Sequence, residues 1–328
     1  MIKIAVDMMG SDNGPEELSK GVASYLENNQ DVSFVCFGDP DRMSLLKDSP
    51  RVEIVKTTQV VPMETSPLSF LRMKDSSMYK ALEAVKDNKC QGLVTAGSTG
   101  GFITGATMLI KNIPGVNRAG FCSYFPSKVK GKQVAILDLG ASNVNTPEEL
   151  VGFAKLGSLY YKENMGKKNP SIYLLSNGTE EGKGLDECKK AYQILKEDKS
   201  INFMGNTEAR DALDGTKDVI VSPGYPGNIF LKASEGMALT FSTLIKSAFK
   251  RNIMTKIGYL LCRRGFKDIH DIFDYKRTGG AMLLGINGVA VKTHGNSTGE
   301  FLYYSLDLAY RMVKNDFVGK IKKDFEVK

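Results

Sequence analysis

Short β-rich runs, each followed by a turn and most by a helical pattern, recur along this chain, and that alternation limits the fold more than any other feature. They span Ile2 to Val6, Ser33 to Phe37, Val52 to Val55, Gly92 to Thr95, Val134 to Leu137, Ile172 to Leu175, Ile201 to Met204 and Val219 to Val221. A strand, a crossover helix and a second strand form a βαβ unit, so the repetition predicts an α/β fold with a mostly parallel sheet and helices on both faces. Right-handed crossovers then place ligands at the carboxyl ends of the strands. At 328 residues the chain has room for a substantial core, and no internal repeat or low-complexity linker divides it. A single large α/β unit over residues 1–328 is the expectation.

Helix signals support this reading. Pro147 to Tyr161 carries Thr146 as N-cap, Glu148 and Glu149 in the first turn, and an apolar face of Leu150, Phe153, Ala154, Leu156 and Tyr160. Leu185 to Lys196 repeats the pattern. One long final helix is expected from Gly299 to Phe325, with Lys320, Lys322 and Lys323 at the negative end of its dipole.

The 42% hydrophobic and 25% charged fractions are those of an ordinary globular protein. Five scattered cysteines, Cys36, Cys90, Cys122, Cys188 and Cys262, form neither a disulfide framework nor a zinc site. No charged-then-apolar leader opens the sequence, and no apolar run reaches about eighteen residues, so a soluble intracellular protein is expected. The net charge of +7 is a modest excess, and its location matters more than its size.

That location is one stretch. Between Met237 and Lys267 lie Lys246, Lys250, Arg251, Lys256, Arg263, Arg264 and Lys267 without a single acid, interleaved with Phe241, Leu244, Ile245, Phe249, Ile253, Met254, Ile257, Leu260, Leu261 and Phe266. Residues 237–275 therefore read as a basic, projecting helical excursion. Such a surface suits anionic lipid headgroups or an acidic protein, and equally a solvated face over ordinary packing. Nucleic acid is not among the expected partners.

The chemistry should lie in the glycine-rich loops. The first strand runs into Gly10, Ser11, Asp12, Asn13 and Gly14, and Pro15, Glu16 and Glu17 then open a helix. Free backbone N–H groups make this a place to hold an anion, although alone it serves as well as a structural turn. Thr95 to Ala106 follows a strand and offers Gly97, Ser98, Thr99 and Gly100, but it matches neither a dinucleotide fingerprint nor a P-loop. Ser176 to Glu187 sets Lys183 between two glycines before a helix. Ser222 to Gly236 carries Asn228 and then Lys232, and a later loop carries Lys292, His294, Gly295, Asn296 and Ser297. His294 is as well suited to a hydrogen-bonding scaffold as to acid–base work, whereas His270, among Asp268, Asp271 and Asp274, reads as a surface residue. No nucleophile elbow or clustered metal ligands appear. What remains is phosphoryl or acyl transfer involving inorganic phosphate, or the binding of a phosphorylated metabolite.

The segments AVDMMGSDNGPE, TAGSTGG, EEGKG, INFMGNTEARD, GNIFLKASEG and GGAMLLGINGVAVKTHG, in this order, resemble the PlsX family of acyl-acyl-carrier-protein:phosphate acyltransferases along nearly the whole chain. The resemblance implies an isocitrate/isopropylmalate dehydrogenase-like fold, a homodimer, and peripheral attachment to the inner face of the cytoplasmic membrane. It implies that inorganic phosphate attacks the thioester of a long-chain acylated acyl carrier protein, giving acyl phosphate for phospholipid synthesis without metal or cofactor. By the same resemblance Lys183, Asn228 and His294 are catalytic, while Asp12, Asn13, Gly97, Ser98, Thr99, Gly100, Lys232, Lys292 and Gly295 bind phosphate or substrate. The basic stretch then becomes the membrane or carrier-protein contact. Ser11, Ser98, the segment Ser142 to Thr146 and the segment Pro223 to Pro226 depart from the family pattern. A non-catalytic membrane-surface or carrier-protein-binding scaffold therefore stands as the alternative, with a dehydrogenase or short-chain phosphate acetyltransferase of related fold behind it.

Overall fold

A computed structural model describes the backbone of residues 1–273 and 278–326 and the side chains of residues 1–267 and 278–326. His270 and its neighbouring aspartates lie outside the described side chains. The contacts cluster into two compact units: Met1–Ser123 with Leu159–Lys168 and Lys276–Lys328, and Tyr124–Ser158 with Asn169–Tyr275.

In the first unit the strands are β1 (Ile2–Asp7), β2 (Val32–Gly38), β3 (Val52–Lys56), β4 (Gly92–Thr95), the start of β5 (Gly120–Pro126), β10 (Ala281–Leu284) and β11 (Val289–Lys292), in the order β3-β2-β1-β4-β11-β10-β5. The neighbours from β3 to β11 run parallel, whereas β10 is antiparallel to both β11 and β5. Helices α1 (Gly14–Asn28), α2 (Pro67–Arg72), α3 (Ser77–Lys86), α4 (Thr99–Gly105), α9 (Gly299–Lys314) and α10 (Phe317–Phe325) belong to this unit. Strands β1 and β4 are almost wholly apolar and buried, as expected for a parallel sheet covered on both faces. Tyr25 joins the core edge-on to Phe34, with ring centroids 6.0 Å apart.

The second unit contains β6 (Gln133–Leu137), β7 (Ser171–Ser176), β8 (Asn202–Glu208) and β9 (Val219–Val221), all parallel, in the order β6-β9-β7-β8. Its helices include α6 (Asp186–Glu197), α7 (Gly224–Lys250) and α8 (Ile253–Phe273), and it takes the amino-terminal part of α5 (Pro147–Met165). The alternation of strand and helix thus yields the expected α/β class. The expected strand from Ile201 to Met204 extends to Glu208, passing Gly205 in the left-handed region at φ 102°.

Two sequence expectations change. The antiparallel strands β5 and β10 lack the strand–turn–helix signature, because they pair with each other rather than bracket a crossover helix. The single final helix is two helices. Asn315 caps α9, Asp316 takes the left-handed conformation (φ 49°, ψ 46°), and α10 starts at Phe317. Asn and Asp tolerate that conformation better than other non-glycine residues. The turn seats Phe317 fully inside the core, edge-on to Tyr160 at 5.8 Å.

Thr146 does cap α5 as expected. Glu149 N donates to Thr146 Oγ1 at 3.3 Å, and Thr146 N donates back to Glu149 Oε2 at 3.2 Å, a reciprocal capping box. Thr146→Ala is therefore expected to lower the unfolding free energy by about 1 kcal/mol, measured by urea denaturation. An unchanged midpoint would remove the cap from the stability of this helix.

Candidate active site loops

In the first unit, strand register lines up the chemistry. Asp7 ends β1, Thr95 ends β4 and Lys292 ends β11, and the pairings Asp7 with Thr95 and Lys292 with Thr95 set the three side by side at the carboxyl edge of three parallel strands. Asp7 is buried; its carboxyl accepts from Thr95 Oγ1 at 2.7 Å and from Met9 N at 3.2 Å. Burial pushes its pKa up, against the pull of hydrogen bonds from Ser77, Thr95 and Met9 N and of the Lys292 charge. Thr95 Oγ1 in turn accepts from Gly97 N at 3.0 Å, so one carboxyl fixes the loops after both β1 and β4. The Lys292 ammonium is half-buried and donates to Thr293 O and, at 3.4 Å, to Ala96 O.

The opening loop folds onto the loop after β11. Asp12 N donates to Gly295 O at 2.8 Å, and Ser11 Oγ donates to the same oxygen at 3.0 Å. Asn13 Nδ2 donates to Asn296 O at 2.9 Å and to Ser297 O at 3.0 Å. A Cβ on Gly295 would stand 3.3 Å from Asp12 Oδ2, so the Asp12 carboxylate lies against that glycine. His294 is half-buried, its ring edge-on to Phe301 at 5.6 Å and its carbonyl accepting from Ser297 N and Oγ. Asp12, Asn13, Gly97, Lys292, His294 and Gly295 are therefore gathered at one sheet edge. Ser98 is fully buried and turned inward, where its hydroxyl donates to Met63 O and accepts from Gly101 N; Thr99 and Gly100 are exposed.

In the second unit, the loops after β6, β7 and β9 hold the remaining residues. Asp138 follows β6, is buried, and accepts from Gly140 N, Ala141 N and Ser142 N at 2.9–3.0 Å. The Ser142 hydroxyl donates to Asp138 Oδ2 at 2.7 Å, with Asn145 Oδ1 3.0 Å away as a second acceptor. The start of α7 packs directly on this loop. A Cβ on Gly227 would stand 1.8 Å from Asp138 O, so only glycine fits there. Asn228 is exposed and lies over Gly140, where a Cβ would stand 3.0 Å from Asn228 Cβ.

Lys183 is exposed in the loop after β7, with its aliphatic stem over Gly178. That loop is closed by Gly184 N donating to Asn177 Oδ1 at 3.0 Å and Asn206 Nδ2 donating to Glu180 O at 2.8 Å. Lys232, one turn beyond Asn228 on α7, pairs with Glu235 at 3.0 Å. Sequence reasoning missed Thr95, Asp138, Ser142 and Asn145 as supports. An acid that closes an apolar strand just before a glycine loop, as Asp7 and Asp138 both do, is the signal that would have found the two aspartates.

Asp7 also gives a pH test. Its folded-state pKa lies above the ordinary 3.8, so as pH rises the unfolded chain ionises first and stability falls until the folded group ionises as well. Asp7→Asn is expected to flatten that decline in denaturant titrations run upward from about pH 4. An identical slope in the variant would show that Asp7 does not titrate in this way.

The protein-family model described as "Fatty acid synthesis protein" matches residues 2–320. A Clostridium botulinum protein named phosphate acyltransferase is 40% identical over 334 residues, with 100% of each chain covered. A Mycoplasma capricolum protein of the same name is 38% identical over 328 residues and 98% of each chain. Among solved structures, a phosphotransacetylase from Streptococcus pyogenes superposes with a TM-score of 0.64 at 16% identity, covering 96% of this chain and 94% of that one; at such identity it shows a shared fold. Matched along nearly its whole length, this chain belongs to the fatty acid synthesis protein family, whose relatives here are named phosphate acyltransferases.

Proposed function

We propose that this protein transfers a long-chain acyl group from acyl carrier protein to inorganic phosphate, supplying acyl phosphate for phospholipid synthesis. The protein is an acyltransferase enzyme, and the observation that carries this is 36–40% identity, end to end, with proteins named phosphate acyltransferase. The site chemistry fits that reaction. A thioester is already activated, so the enzyme's task is to place phosphate in line with the carbonyl and to stabilise the oxyanion that forms.

In this reading a phosphate oxygen attacks the thioester carbonyl, the tetrahedral oxyanion collapses, and the carrier-protein thiolate leaves. Lys292, with Asp12, Asn13, Gly97, Thr99, Gly100 and Gly295, binds phosphate in the first unit, whereas Ser98, expected among them, is buried with its hydroxyl committed to Met63 O and Gly101 N and holds the loop instead. His294 orients phosphate or protonates the departing thiolate. Lys183 and Asn228 stabilise the developing negative charge, and Lys232 binds phosphate or substrate. No covalent help from the protein is required.

The helical excursion supports a peripheral membrane role. All seven of its basic residues are exposed, and Leu239, Leu244, Ile253, Met254, Leu260 and Leu261 beside them are between 58% and 83% exposed. α7 and α8 are joined by Phe249 and Phe266, ring centroids 4.9 Å apart, and among the described residues no helix is long and apolar enough to cross a membrane. Apolar side chains ringed by cations suit the interface of an anionic bilayer, on the inner face of the cytoplasmic membrane in this reading. A homodimer belongs to the same proposal.

Incubating the purified protein with long-chain acylated carrier protein and phosphate should yield acyl phosphate, trapped as its hydroxamate. No product at any enzyme concentration would leave the non-catalytic scaffold in its place. Lys183→Ala should lower kcat by about a hundredfold, in line with other oxyanion stabilisers, and unaltered turnover would end that assignment. Vesicles rich in phosphatidylglycerol should bind the protein at low salt and release it at high salt, and Arg263→Glu with Arg264→Glu should weaken the binding. Equal binding to neutral vesicles would count against the membrane role.

A further inference from the structure

We propose that Asn145 is a positioning residue that sets Asn228 by capping α7; the inference rests on the acyltransferase reading. α7 begins after Pro223, which makes no side-chain cap of its own. The missing acceptor comes from another loop, where Asn145 Oδ1 accepts from Gly224 N at 3.0 Å across 79 residues of sequence. Asn145 is only 3% exposed, so water does not substitute for that bond.

The amide is itself held from two sides. Its Nδ2 donates to Glu149 Oε2 at 3.1 Å, and its Oδ1 faces the Ser142 hydroxyl at 3.0 Å. Glu149 is fixed by the capping box with Thr146, and Ser142 by Asp138. Asp138, Ser142, Asn145 and Glu149 thus form one buried polar cluster, in which the Ser142 hydroxyl proton is shared between Asp138 and Asn145 and a branch from Asn145 reaches the first residue of α7. Asn228 lies one helical turn further on, against Gly140 of the same loop. Loss of the cap lets the first turn of α7 move, and displacement of about 1 Å at a catalytic group can cost a hundredfold in rate. Ser142 and Asn145 both fall in the segment that departs from the family pattern, yet here they form one connected support.

Asn145→Ala is expected to lower kcat by tenfold or more, with KM for acylated carrier protein within about twofold of wild type. Thr146→Ala serves as the control, because it removes only the hydroxyl that accepts from Glu149 N, while Thr146 N still donates to Glu149 Oε2 and Gly224 N to Asn145 Oδ1; its kcat per folded molecule should match wild type. In an Asn228→Ala background, adding Asn145→Ala should change kcat by less than about twofold, since the group it positions is gone. Amide hydrogen exchange over residues 224–228 should be faster in Asn145→Ala and unchanged in Thr146→Ala. Multiplicative losses in the double variant, equal kcat losses in Asn145→Ala and Thr146→Ala, or unaltered exchange in Asn145→Ala would overturn the proposal. An inactive wild type would sink the acyltransferase reading instead, and the exchange measurement would still decide whether Asn145 caps α7.

Discussion

In each unit, a buried carboxyl group at the carboxyl end of a parallel strand holds the loops that carry the candidate site residues. Asp7 and Asp138 occupy the same kind of place, the one the last residue of β1 and the other the first residue after β6, each shortly before a glycine turn. Backbone N–H groups leaving a sheet need acceptors, and a carboxylate offers several lone-pair sites at once. Asp138 takes three consecutive loop amides, while Asp7 takes one amide and the Thr95 hydroxyl that serves a second loop.

This arrangement separates holding from reacting. The holding groups, Asp7, Thr95, Asp138, Ser142 and Asn145, are all more than nine-tenths buried. The groups assigned to the reaction, Lys183, Asn228, Lys292 and His294, are exposed or half-buried. Acyl transfer to phosphate requires placement and charge stabilisation, which suits exposed polar groups on a rigid, buried frame. The helical excursion follows an opposite rule, leaving apolar side chains exposed among cations.

Much of the fold was legible because covered parallel strands are apolar along their length and the helices between them carry their own start signals. The capping of α5 by Thr146 is such a local signal, and it holds. The break at Asp316 and the pairing of β5 with β10 were not legible. The first depends on burying Phe317 against Tyr160, and the second on two strands 155 or more residues apart, both outside any local window.

The sequence by itself determined the α/β class, the loops that carry the candidate groups, and the cationic, apolar character of residues 237–267, because each of these is written in local composition and spacing. Tertiary structure alone decided which polar residues serve as frame and which face outward. Ser98 is buried as a helix cap while Thr99 beside it is exposed, and Asn145 caps a helix that begins 79 residues later. Hydrogen bonds between loops that meet only when the sheet has formed leave no trace in local pattern. Their partners are set by which strands become neighbours in the sheet, and Asn145 and Gly224 lie 79 residues apart, beyond any local window.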